Sequence, residues 1–66
     1  MKLHYDEQVD ALYLRFDDSK IIESEEVKEG IILDYNAKDQ VVGIEILGIS
    51  KRIPLPEIKK IQFEIA

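Results

Sequence analysis

The apolar residues of this chain come in short runs that alternate with polar ones, and each run ends at a cluster of acids, a glycine or an asparagine. A period of two over four to eight residues is the pattern of a half-buried strand. Residues 2–5 follow it, with Leu3 and Tyr5 on one side. Residues 11–16 divide into Ala11, Tyr13 and Arg15 on one side and Leu12, Leu14 and Phe16 on the other. The second set is wholly apolar and is expected in the core. Residues 21–27 read as a strand whose acid-rich middle suits an exposed edge, where charge discourages further pairing. Residues 31–35 and 40–47 read as a hairpin joined by Asn36-Ala37-Lys38-Asp39. Gly43 inside the later strand signals a bulge or a close approach by another part of the chain.

The pattern changes after Gly48. Residues 48–53 fit one helical turn, which Pro54 stops because the residue before a proline avoids helix. Pro56 suits the first position of a second short helix over residues 56–60, with Ile58 and Ile61 on its inner face. Residues 61–65 alternate again and read as a final strand, with a helix to the end as the rival. The expected fold class is α+β: a small antiparallel β-meander of about five strands with one or two short C-terminal helices, in a single domain over residues 1–66.

A chain of 66 residues buries only about 60% of the surface its unfolded form exposes. A thin core and a sheet with two edges lead us to expect a homodimer. The chain has no cysteine and one histidine, His4. This excludes a disulfide framework, a thiolate metal site and a Cys/His zinc site. No apolar run approaches a membrane span and the start has no signal-peptide core, so a cytoplasmic location without membrane partners is expected. The net charge of −5 is uneven: residues 1–34 carry ten acids and four bases, residues 35–66 four acids and five bases. Such a surface argues against nucleic acid; it would steer the chain toward a basic protein partner, but the reading favoured from charge alone is that it keeps a small protein soluble.

No catalytic residue, cofactor site or metal site emerges from the motifs. The loop acids Asp6, Glu7 and Asp10 lack calcium-loop spacing and read as turn caps. Asp34 and Glu45 interrupt apolar strands of the same hairpin. Carboxylates facing one another there would need a cation between them, and Lys51 or Arg52 could serve, as could a metal. Burial would raise the Glu45 pKa, but the flanking pattern favours an open face, which would leave Glu45 an ordinary surface residue. His4 lies on the side of Lys2, away from Leu3 and Tyr5, and is expected at the surface. Tyr5, Tyr13 and Tyr35 are the aromatic handles, either for a partner or for the rim of the core.

The segment Tyr5-Asp6-Glu7-Gln8-Val9-Asp10-Ala11-Leu12-Tyr13-Leu14, followed by Leu33-Asp34-Tyr35 and Val41-Val42-Gly43-Ile44-Glu45-Ile46-Leu47, resembles the small prokaryotic family called domain of unknown function 2283. The resemblance covers nearly the whole chain and departs only in the loop at Asn36. It implies the same compact β-rich fold and assigns no catalytic residue. Some relatives are encoded beside a small toxin-like gene, so the resemblance also implies an antitoxin-like role with a small basic partner. Three functions remain open at this point: a protein-binding module, a small-ligand or metal-binding domain using surface carboxylates, and, last, a metal-dependent hydrolase. The residues to watch are Tyr5, Asp6, Asp10, Tyr13, Asp34, Tyr35 and Glu45.

Overall fold

The computed structural model describes residues 1–66. Five strands, β1 (Lys2–Asp6), β2 (Ala11–Arg15), β3 (Glu23–Lys28), β4 (Ile31–Tyr35) and β5 (Val41–Leu47), precede two short helices, α1 (Ile49–Arg52) and α2 (Leu55–Ile58). All pairings are antiparallel, and the spatial order is β1-β2-β5-β4-β3. The α+β class, the five strands and the two helices are those expected. The sheet joins a two-stranded hairpin, β1–β2, to a three-stranded run, β3–β4–β5, along a seam between β2 and β5. Strands β1 and β3 are the edges.

Each turn has a local cause. The Asp6 carboxylate accepts the Gln8 amide at 3.0 Å, and Asp10 takes a left-handed conformation to start β2. Gly30 closes β3–β4 at φ 77°. In the β4–β5 loop the Asn36 side-chain oxygen accepts the amides of Lys38 (2.9 Å) and Gln40 (3.0 Å). A bulge lies where Asp34 pairs with Gly43 but Tyr35 pairs with Val41, leaving Val42 as the extra residue. Val42 is 2% exposed and its carbonyl accepts the Phe16 amide at 2.8 Å.

The two faces differ. Leu3, Leu12, Leu14, Ile44, Ile46 and Leu33 lie on one face, by register and alternation. The C-terminal segment runs over this apolar face, where Ile61 and Phe63 share a groove with Leu3 and Leu14. Lys2, His4, Tyr13, Arg15, Glu45, Asp34 and Ser24 lie on the other face. The molecule is a thin slab of 36 × 30 × 20 Å, and only six residues are buried.

Three expectations need correction. Phe16 is not in the core: β2 ends at Arg15, and Phe16 is 36% exposed beyond it. The second helix starts at Leu55 and ends at Ile58 rather than running from 56 to 60, so Pro56 is its second residue. Proline is tolerated there because the first amides of a helix have no intrahelical partner. Residues 61–65 form neither strand nor helix, because no strand lies beside them to receive their backbone groups. Ile58 is buried as expected, but Ile61 is 52% exposed.

Candidate functional site

The polar face is organised in rows across the strands. One row reads Lys2, Arg15, Gly43, Asp34, Ser24; the next reads His4, Tyr13, Glu45, Ile32, Glu26. Asp34 and Glu45 are therefore diagonal neighbours rather than directly opposed. Gly43 is the reason the first can be buried. A Cβ at Gly43 would lie 3.1 Å from an Asp34 carboxylate oxygen (Oδ2), 3.1 Å from Arg15 Cδ and 3.2 Å from the Leu14 carbonyl. Side chains from both neighbouring strands close over the space that glycine leaves. Asp34 is consequently 2% exposed, and its other oxygen accepts the Ser24 hydroxyl at 2.6 Å.

Glu45 is half-buried beside it. Desolvation first, then a hydrogen bond to Asp34 and the Asp34 charge, push its carboxyl up to about 7. A protonated Glu45 donates to the Asp34 carboxylate, so one proton shared by the two replaces the bridging cation expected from the sequence. Lys51 and Arg52 do not supply that cation. Lys51 lies near Asp10, and the Arg52 guanidinium donates to the Glu29 carbonyl at 2.6 Å. Arg15 is the nearest base, but its terminal nitrogen turns to the carbonyls of Ser19 (2.7 Å) and Asp17 (3.2 Å), and its Nε is buried without a partner. No three of the His, Asp and Glu side chains converge as a metal would need. Neither carboxyl lines any of the three surface hollows. The pair locks the hairpin together; it is not a surface pair, as the sequence suggested.

Asp10 is a second junction. Its carboxylate accepts the Tyr5 hydroxyl (3.0 Å), the Ser50 hydroxyl (2.7 Å) and the Ser50 amide (3.2 Å), while its carbonyl accepts the Ile49 amide (3.1 Å). The Ser50 hydroxyl and the other bonds hold the Asp10 pKa below its ordinary value. Ala11 beside it is fully buried. Tyr5, Asp6, Asp10 and Ala11 thus serve the fold: they build the first hairpin and tie it to α1. Tyr13 is also occupied, stacked on the exposed His4 with ring centroids 6.1 Å apart.

Tyr35 is different. It ends β4 opposite Glu23, and no hydrogen bond engages its hydroxyl. Partial burial raises its pKa first, followed by the charges of Glu25, Asp39 and Glu23. Edge strand β3 beside it is exposed at all six residues, Glu23–Lys28. From Asp17 to Glu29 the chain carries six acids and two bases, formally −4 of its −5. None of these acids is in an ion pair; the one ion pair of the molecule is Lys60–Glu57 at 3.5 Å. Asp17 is held ionised, its pKa lowered chiefly by hydrogen bonds from Ser19. The acid-rich middle of residues 21–27 identified the edge in the sequence. The partners of the other candidates, Ser24 and Ser50, were missed, because each meets its carboxylate from another element of the chain, 10 and 40 positions away.

Among solved structures and among curated proteins, nothing matches the chain. A family model, described as protein of unknown function (DUF2283), matches residues 2–50, which contain every strand and the Tyr5–Asp10–Ser50 junction. The chain belongs to that family.

Proposed function

We propose that this protein is a protein-binding module whose working surface is the outer edge of β3 with Tyr35. The observation that supports this is the cluster of unpaired carboxylates, Glu23, Glu25 and Asp39, around a tyrosine with a free hydroxyl. An aromatic face rimmed by anions suits a lysine or arginine, which gains from both the ring and the charges. The edge of β3 adds backbone donors and acceptors for an extended segment. The partner that fits is a small basic protein, and a basic toxin held by an antitoxin-like module is the particular case the family resemblance suggests. Long-range attraction from a −4 segment would speed the encounter at low salt and fade as the Debye length falls below about 10 Å.

Native mass spectrometry of tagged protein from its host lysate tests this. We expect a stoichiometric complex with one small basic protein at low salt. The variant Glu23→Gln/Glu25→Gln/Tyr35→Ala should lose it while keeping its circular dichroism spectrum. Retention of the same complex by the variant, or no basic protein bound to the wild type, rejects the reading.

A further inference from the structure

Residues 61–66 follow the turn after α2 without regular structure and join no sheet. The last backbone bond of this tail is from the Ile61 amide to the Ile58 carbonyl at 3.4 Å. Beyond it, Phe63 is 80% and Ile65 85% exposed. The alternation is nevertheless that of a strand, with Ile61, Phe63 and Ile65 on one side and Gln62 and Glu64 on the other. Within its own chain the tail lies over the apolar face. There Ile61, Gln62 and Phe63 line a groove of about 590 Å³ with Met1, Leu3 and Leu14. That position covers little of the tail and leaves its backbone unpaired.

One free edge of the sheet matches the tail. Strand β1 presents Leu3 on the apolar face, 44% exposed, and Lys2 and His4 on the polar face. A strand laid beside it with Ile61, Phe63 and Ile65 on the apolar face would continue that face. It would also put Glu64 on the same side as Lys2 and His4. The other edge, β3, would set Glu23 and Glu25 beside the apolar side chains of the tail and Glu26 on the side of Glu64.

We propose that a second copy of this chain supplies the pairing: residues 61–65 of each protomer add as a sixth strand to the free edge of β1 in the other, giving a two-fold dimer. The exchange pairs the backbone of residues 61–65 with β1 and sets Ile61, Phe63 and Ile65, all half or more exposed in the monomer, beside Leu3 on one continuous apolar face. It uses the edge opposite β3 and goes beyond the proposal for that edge, so the two stand or fall separately.

Sedimentation velocity on the full chain, from low to high micromolar, tests the exchange. The wild type should be a dimer. Phe63→Glu should raise its dissociation constant by about a hundredfold, since it removes an aromatic contact with the apolar face from each half and puts a charge there. The spectrum of the variant should not change, because Phe63 makes little contact within its own chain. Lys2→Glu should weaken the dimer, and Lys2→Glu combined with Glu64→Lys should restore it. Glu23→Gln/Glu25→Gln should leave it intact. A monomeric wild type at high micromolar, a dimer indifferent to Phe63→Glu, or no rescue by the charge exchange overturns the proposal.

Discussion

Glu45 shows how far one half-buried side chain can depart from its ordinary chemistry on the polar face of a sheet. In the folded chain it holds its proton to about pH 7, against an ordinary 4.5. Between those values the unfolded chain releases the proton and the folded chain keeps it. The contribution is therefore complete below about 4.5 and is lost as pH rises through about 7. Urea unfolding across this window should show stability falling for the wild type. Glu45→Gln keeps a donor toward Asp34 at every pH and should remove the decline. If both proteins show the same slope, the shared proton is absent. Asp10 works in the opposite sense and in another window: its pKa is lowered, so its contribution is present above 3.8 and lost on acidification. Asp10→Ala strands the Tyr5 and Ser50 hydroxyls together and should lower Tm by several degrees; Ser50→Ala should do so by less. Asp10 was readable from the sequence as a turn residue because turn chemistry is local. Its bonds to Ser50 span 40 positions and leave no trace in periodicity.

At the scale of elements, strands were legible because alternation states both where a strand runs and which side it buries. The edge character of β3 was legible for a different reason: its acid-rich middle suits an exposed edge, where charge discourages further pairing. Ends were less so. Phe16 continues the alternation of β2, but the backbone leaves the ladder after Arg15, and residues 61–65 alternate without a partner in the chain. Pattern reports fitness for a strand, whereas a strand also needs a neighbour. Gly43 was readable as a special position, although what fills its space, Arg15 and Asp34 from opposite sides, was not. Gly43→Ala places a methyl 3.2 Å from the Leu14 carbonyl, which is backbone and cannot rotate away. The expected cost is about 1–3 kcal/mol, larger than the gain of about 0.5–1 kcal/mol from replacing glycine in a strand. For a domain of this size that corresponds to a fall in Tm of roughly 5–15 °C, measurable by thermal circular dichroism. An unchanged Tm would mean that the carboxylate and Arg15 are not packed over this position.

The whole molecule is a slab one sheet thick with charge gathered at one edge and apolar surface at the other. Six buried residues give it little to hold it together, so its stability should depend on concentration if the tails are exchanged. The charge asymmetry was visible in the counts; its confinement to one edge required the strand order. That order has a kinetic consequence. Within the β1–β2 hairpin and within β3–β4–β5, paired strands are joined by short turns, but the β2–β5 seam joins residues 28 to 36 positions apart, from Arg15–Gly43 to Ala11–Leu47. Loop closure makes such contacts slow to form. Two local pieces should assemble first and dock last, so Leu14→Ala, on the seam, should mainly speed unfolding, while substitutions in the β4–β5 turn should slow folding. The seam is then the line along which the domain opens. Amides of β2 and β5 that bond across it should exchange with solvent as one group, making this small sheet a hinge between two halves as well as a single wall.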